Sequence, residues 1–376
     1  MKRIDFVYFE AGGGHRSAAL ALKAVIERQQ RPWQIRLVNL QEVLDPLDIF
    51  RKYTRIRLQD IYNLLLRKGW TLGSAQLLSA MHGIIQLYHR GQVRLLRRFW
   101  SEQPPDMVVS LVPNFNRAMF QAVQSVDPGI PYVTILTDFA DHPPRFWIEP
   151  QAQHVICGTD RAVRQALAMG HSESRVLRAS GMILRPGFYE TEAIDVPAER
   201  IRLGLKPDLP TGLVLFGGEG SAAMVQIASE INRAAVPVQL IFVCGKNERL
   251  RSRLALMTTR YPKHVVGFTA DIARYMSLSD FFIGKAGPGS ISEALAMKLP
   301  VIVARNAWTL PQERYNADWV VERQVGIVLQ SYREIGGAVR SLLQPATFAR
   351  LRANAAAVQN RAVFEIPDML ENILNR

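Results

Sequence analysis

The chain has only two cysteines, Cys157 and Cys244, in 376 residues. Two cysteines make neither a disulfide framework nor a cysteine-rich metal cluster, and such sparing use fits a reducing cytoplasm. Nowhere do about 18 apolar residues run without interruption, so no transmembrane helix is expected. The start, Met1-Lys2-Arg3-Ile4-Asp5, leads straight into a short apolar run ended by Glu10. That reads as a first strand, not a signal peptide. Low-complexity segments and sequence repeats are also lacking. Acidic residues are scarce: the formal net charge is +13, and between Arg51 and Trp100 ten basic residues meet a single acid, Asp60. With 48% hydrophobic and 21% charged residues, a chain of this length is globular and expected to form two domains.

What is present is a recurring pairing of apolar strand and glycine-rich loop. Ile4 to Phe9 reads as a strand, Ala11-Gly12-Gly13-Gly14-His15-Arg16-Ser17 as a loop, Ser17 to Glu27 as a helix and Ile35 to Leu40 as the next strand. This order opens a doubly wound α/β domain. Gly12-x-Gly14-x-x-Ser17 only approximates the dinucleotide fingerprint. Asn39 stands where a ribose-binding acid would follow the second strand, which disfavours a nicotinamide cofactor. Strands follow at Asp106 to Leu111, Tyr132 to Leu136 and His154 to Cys157, with helices at Asn116 to Val126 and Asp160 to Met169. From Gly181 to about Ala198 the periodicity stops, which places a linker between domains 1–190 and 191–376. The second half restarts the scheme. It has strands at Gly212 to Phe216, Val238 to Val243, Val265 to Phe268, Phe281 to Gly284 and Val301 to Ala304, with a helical end from Pro345.

Four places carry chemistry. Lys285-Ala286-Gly287-Pro288-Gly289-Ser290 runs from a strand end into a helix read from Ile291 to Met297. Such a turn aims free backbone N–H groups and a positive helix end at one point, which suits a phosphate. Ser290 and Glu293 have capping-box spacing, so an ordinary capped turn accounts for the stretch as well. His15 sits where the first Gly-rich loop meets its helix, a position that keeps an imidazole neutral and available as a base. The other six histidines show no convincing metal-ligand spacing. Asp138 ends a strand where open sheets bind ligands, and Asp141 to Trp147, rich in proline and aromatics, reads as a lip over an acceptor site. In residues 51–100, Ile84, Leu87, Tyr88, Leu95 and Phe99 recur at helical spacing beside Arg90, Arg94 and Arg97, with Tyr62, Trp70 and Trp100 nearby. A pair of core helices with a solvated basic face would give this pattern. So would an interfacial element on anionic lipid, which the lack of acids favours. No nucleic-acid motif accompanies the charge, and no nucleic-acid partner is expected.

Taken in order, Gly12-Gly13-Gly14-His15-Arg16-Ser17-Ala18, Thr137-Asp138, Gly181 with Arg185-Pro186, Gly217-Gly218-Glu219-Gly220, Cys244-Gly245-Lys246-Asn247, Gly267-Phe268, Lys285 to Ser290, Glu293-Ala294, Gln312-Glu313 and Asn316 resemble the monogalactosyldiacylglycerol synthases and their GT-B glycosyltransferase relatives. The resemblance covers nearly the whole chain. It implies two Rossmann-like domains facing across a cleft, the N-terminal one for a lipid acceptor and the C-terminal one for a nucleotide sugar, with the last helices packing back on the N-terminal domain. By the same resemblance, Gly267 and Phe268 contact uracil and Glu293 the ribose. Gly287, Pro288, Gly289 and Ser290 hold the diphosphate. Gln312 and Glu313 bind sugar hydroxyls, Gly218 and Glu219 line the cleft, and His15 is the base. Gly13, Gly14, Asp138, Phe146 and Trp147 fall to the acceptor or membrane side, with Arg90, Arg94 and Arg97.

The activity implied is inverting transfer of a hexose, galactose first, from a UDP-sugar to diacylglycerol at the cytoplasmic face of a membrane. The UDP-sugar is a substrate, no cofactor is expected, and backbone amides take the place of a divalent ion at the diphosphate. UDP-glucose or UDP-N-acetylglucosamine fits the same chemistry. A non-catalytic nucleotide-sugar or membrane-binding protein and a sugar epimerase are alternatives on the same fold. The chain departs from the family at Val112-Pro113, where a His-Pro is usual, and at Arg305 to Pro311 and Arg314-Tyr315, which surround the sugar and acceptor.

Overall fold

A computed structural model describes residues 1–10, 14–47, 87–190, 193–307 and 309–376. In the first half the elements are β1 (Lys2–Tyr8), α1 (Gly14–Arg28), β2 (Trp33–Asn39), α2 (Leu40–Leu44), α3 (His89–Glu102), β3 (Met107–Ser110), α4 (Asn116–Val126), β4 (Tyr132–Ile135), β5 (His154–Cys157), α5 (Asp160–Ala168) and β6 (Val176–Arg178). The second half has α6 (Val196–Arg202), β7 (Thr211–Leu215), α7 (Ala223–Ala234), β8 (Gln239–Val243), α8 (Glu248–Leu256), β9 (Lys263–Val266), α9 (Ile272–Ser277), β10 (Phe281–Lys285) and α10 (Pro288–Ala296). It ends with β11 (Val301–Ala304), α11 (Arg314–Glu322), β12 (Gly326–Leu329), α12 (Ile335–Leu342), α13 (Pro345–Ala357) and α14 (Ala362–Leu374).

The strands form two parallel six-stranded sheets, ordered β2-β1-β3-β4-β5-β6 and β12-β11-β10-β7-β8-β9. Parallel sheets need helices on both faces, so their central strands are apolar on both sides. Thus β3, β4, β7 and β8 are buried at every position. In the first sheet β1 pairs with both β2 and β3, and in the second β7 pairs with both β8 and β10. Each pairing marks a strand-order reversal, and crevices open at the carboxyl ends there. The loops after β1, β7 and β10 are the three Gly-rich loops.

The halves touch directly. Phe139, after β4, packs edge-on against Trp319 of α11 at 4.7 Å, and Arg323 bonds Asp160 at 3.2 Å. One apolar cluster joins Phe139, Met182 and Leu184 to Ile291, Leu295 and Val320. Helix α14 crosses back to the first sheet, where Val363, Ile366 and Leu370 share a core with Leu22 and Ile26 of α1.

Three expectations change. The helix after β10 begins at Pro288, not Ile291. Gly287 is its N-cap, and proline occupies the first turn, where its missing N–H costs nothing. Ser290 therefore lies inside the helix and caps nothing. The structure adds the short strands β6 and β12 to those expected from the sequence. In the basic stretch, residues 48–86 (with Tyr62, Trp70 and Ile84) lie outside the described residues. On α3, Arg90, Arg94 and Arg97 are exposed, as is Leu87 just before the helix, while Leu95 and Phe99 are half-buried. Trp100 is fully buried and donates from Nε1 to Asp5 Oδ2 at 2.9 Å. It is core, not an interfacial anchor, because its indole N–H has a buried carboxylate to satisfy. No described helix is long and apolar enough to cross a membrane.

Candidate active site

On the first half, His15 lies in the first turn of α1, at the switch between β1 and β3. Its Nδ1 is 3.3 Å from Thr137 Oγ1. Trp147 stands beside it, ring centroids 5.8 Å apart. Burial lowers the His15 pKa to about 4, against a smaller upward pull from a hydrogen bond to the Leu111 backbone. The imidazole is thus neutral at pH 7.

The neighbouring Asp138 is also buried, and its Oδ2 accepts a 2.9 Å hydrogen bond from Trp147 Nε1. Burial raises its pKa to about 7, the Trp147 bond lowers it, and Glu313 and Lys285 of the other half act on it with opposite signs. The Asp138 carboxyl therefore senses charges across the cleft.

The Asp141 to Trp147 segment is not the expected lip. Phe146 and Trp147 are 5% and 0% exposed. The buried Asp141 carboxylate collects the backbone N–H groups of Arg145 (2.9 Å) and Trp147 (2.6 Å). Asn116 Nδ2 donates to the Trp147 carbonyl at 2.9 Å. This polar frame pulls both aromatics inward: Phe146 joins Leu136 and Val155 in a core, and Trp147 becomes the wall behind His15. Neither reaches a membrane.

On the second half the site is built mainly from backbone. The loops 217–220 and 244–247 press together. Lys246 N donates to the Gly218 carbonyl at 2.8 Å, and Gly245 has φ +59°, where a Cβ would stand 2.2 Å from that same oxygen. Only glycine permits this approach. Glu219 follows in the same loop, its carbonyl facing Asn247 Nδ2 at 3.4 Å. After β9, Gly267 is half-buried and Phe268 is 63% exposed, with the Lys246 ammonium 5.8 Å from its ring centroid.

Helix α10 then presents an open N-terminus. Among the described residues no side chain caps it, and its first turn holds no acid. The first N–H to enter the helical ladder is that of Ile291, bonded to Gly287 at 3.1 Å, and a Cβ on Gly289 would meet nothing within 4 Å. The N–H groups of Gly289 and Ser290 thus crown a positive helix end. One turn on, burial raises the Glu293 pKa to about 7, with Arg185 pulling it down.

Glu313 is buried, and Lys285 Nζ donates to its Oε1 at 2.7 Å. Among the described residues Gln312 Oε1 and Asn316 Oδ1 are buried without a hydrogen-bond partner, while Asn316 Nδ2 donates to the Ala286 carbonyl at 2.8 Å. Buried acceptors left open beside an uncapped helix end are suited to a polar ligand.

The structure thus gathers His15, Asp138 and Trp147 on one wall and Gly287, Lys285 and Glu313 on the other. Gly14 starts α1, and Gly13 lies outside the described residues. Arg90, Arg94 and Arg97 belong to α3, packed on α4 and apart from this cleft. Lys285 as the partner of Glu313 went unread in sequence, since 28 residues separate them and no local pattern links them. Among the described residues no group of three or more His, Cys, Asp or Glu is arranged to hold a metal ion.

Comparison with known proteins follows the same division. Residues 15–181 match the family "Monogalactosyldiacylglycerol (MGDG) synthase", and residues 213–373 match the "Glycosyltransferase family 28 C-terminal domain". A protein of Oryza sativa subsp. indica named "Probable monogalactosyldiacylglycerol synthase 2, chloroplastic" is 28% identical over 97% of this chain and 79% of its own length. Among solved structures, the S. aureus MnaA-UDP co-structure superposes with a TM-score of 0.64 at 16% identity, covering 100% of this chain and 97% of the other. MurG of Acinetobacter baumannii gives 0.61 at 14% identity, covering 99% and 100%. The fold is GT-B. With the two profiles lying in order, one over each Rossmann-like half, the chain belongs to the glycosyltransferases of the family 28 and monogalactosyldiacylglycerol synthase type.

Proposed function

We propose that this glycosyltransferase moves galactose from UDP-galactose to the free hydroxyl of diacylglycerol, with inversion, giving a β-galactolipid. The observation that carries this reading is the meeting of unlike walls. A neutral histidine stands beside Asp138, and Asp138 lies within electrostatic reach of Glu313 and Lys285 at the opposite, anion-binding wall.

The roles follow from chemistry. The diphosphate rests on the N–H groups of Gly289 and Ser290 in the turn begun by Gly287 and Pro288. Glu293 takes the ribose hydroxyls, Phe268 and the Gly267 backbone take the uracil, and Gly218 and Glu219 close the cleft. Gln312 and Glu313 accept hydrogen bonds from the sugar. His15 takes the proton of the acceptor hydroxyl as its oxygen bonds C1, and the C1–O bond breaks with its electron pair leaving on UDP. An anionic diphosphate in the cleft raises the basicity of His15, while the helix end and amides stabilise the leaving charge without a metal. The family to which the chain belongs and the name of its rice relative support a galactolipid product.

Docking is assigned to the exposed Arg90, Arg94 and Arg97, which bring the N-terminal half to an anionic membrane at its cytoplasmic face. The experiment is a donor panel. Protein, anionic vesicles containing diacylglycerol, and UDP-galactose, UDP-glucose or UDP-N-acetylglucosamine are incubated, and UDP and glycolipid are quantified. Equimolar UDP and galactosyldiacylglycerol is the expected result. Preference for another donor reassigns the sugar, and no glycolipid from any donor refutes the reading.

A further inference from the structure

Just past β3 the chain makes a strained turn whose tip is a polar side chain with nothing to bond. Phe115 N donates to the Pro113 carbonyl at 2.9 Å, closing a three-residue turn around Asn114. The central φ is +68°, the rarer and strained sense of such a turn. Neighbouring groups hold it firmly. Asn114 N donates to the Phe146 carbonyl at 2.6 Å. The buried Asn116 donates from Nδ2 to the carbonyls of Val112 (3.1 Å) and Trp147 (2.9 Å), and its Oδ1 accepts from the Tyr132 hydroxyl at 2.8 Å. The Asn114 carboxamide is different. Among the described residues it makes no hydrogen bond, and its Oδ1 is buried. A buried polar atom without a partner costs stability, and here the backbone is strained as well to keep it in place.

The turn lies beyond the carboxyl ends of β1 and β3. Leu111 N donates to the Val7 carbonyl at 2.9 Å, and Phe115 packs edge-on against Phe9 at 5.3 Å. His15 hydrogen-bonds the Leu111 backbone ahead of the turn and stands beside Trp147, which follows the Phe146 that anchors it. Asn114 therefore belongs to the wall of the candidate base. A carboxamide is uncharged and offers an N–H donor to a neutral oxygen, which suits an ester better than a diphosphate. We propose that Asn114 binds the lipid acceptor, its Nδ2 donating to the ester carbonyl next to the free hydroxyl of diacylglycerol, so that this hydroxyl is turned toward His15. The inference rests on the reading of the protein as a diacylglycerol glycosyltransferase.

The test compares the wild type, Asn114→Gly and Asn114→Asp on two acceptors in vesicles, with the UDP-sugar that the wild type uses. One acceptor is diacylglycerol. The other is the dialkyl ether, which keeps the free hydroxyl and lacks the ester carbonyls. UDP affinity is measured on the same preparations by calorimetry. The wild type is expected to have a KM for diacylglycerol roughly threefold to tenfold below that for the ether, the range of one neutral hydrogen bond. Both variants raise the diacylglycerol KM by about that factor and leave the ether KM and the UDP affinity unchanged, because neither retains the N–H donor. Glycine adopts a positive φ freely, so Asn114→Gly keeps the turn. If Asn114→Gly leaves the diacylglycerol KM unchanged, or weakens both acceptors or UDP alike, the assignment is wrong and the glycosyltransferase reading stands. If the wild type makes no glycolipid from either acceptor, both fall.

Discussion

The two switch points of this molecule do comparable work with different materials. At the β1/β3 switch the site is made of side chains, a half-buried His15 and the buried Asp138 and Trp147, hydrogen-bonded to Thr137 or to one another. At the β7/β10 switch it is made first of backbone, with glycine loops in contact and an uncapped helix end. Under the proposed function, the difference matches what each wall would bind. A diphosphate is the same in every donor, and fixed N–H groups recognise it well. A proton must be taken at one atom and no other, which requires a side chain with a tuned acidity.

Gly245→Ala strikes the backbone wall hardest. A Cβ 2.2 Å from the Gly218 carbonyl, at positive φ, is expected to cost about 2–4 kcal/mol in stability and to weaken UDP binding with it, both measurable by urea titration with and without UDP. Next comes the outer face of the other half. Replacing Arg90, Arg94 and Arg97 together by Gln should reduce binding to anionic vesicles by roughly tenfold or more at low salt, at up to about 1 kcal/mol per charge. Raising the salt should erase the difference, and sedimentation with vesicles reads both. An unchanged vesicle affinity would move the docking surface elsewhere.

The smallest effect tests the buried acid. The folded Asp138 pKa is raised from its ordinary 3.8 to about 7, so the folded state holds the proton more tightly than the unfolded chain. Stability from this group is thus present at low pH and lost as pH rises from about 4 to about 7. Asp138→Asn, which can still accept from Trp147, should therefore gain on the wild type between pH 5 and pH 8, by on the order of 1 kcal/mol. Thermal unfolding across that range reports the gain, and a constant difference would deny the raised pKa.

The same contrast explains what the sequence disclosed. The backbone wall was legible because its signals are local: glycines after apolar strands, a proline opening a helix. The strand at His154–Cys157 and the helix at Asn116–Val126 follow from local pattern as well. The side-chain wall was only half legible. His15 and Asp138 stood out by position, but Phe146 and Trp147 looked like an exposed lip. What buries them is the Asp141 carboxylate and Asn116, contacts that form only once α4 is packed. Trp100 went astray for the same reason, since its partner Asp5 lies 95 residues away. Strands β6 and β12 are short and partly exposed, too weak a pattern to read.

The division of labour between the walls is tested most directly by His15→Ala, with UDP affinity and galactolipid formation measured on the same preparation. The account predicts UDP affinity within twofold of the wild type and transfer slowed by about 10²–10⁴-fold, the scale of a lost general base. Transfer at the wild-type rate, or a loss that merely follows weaker UDP binding, would contradict it.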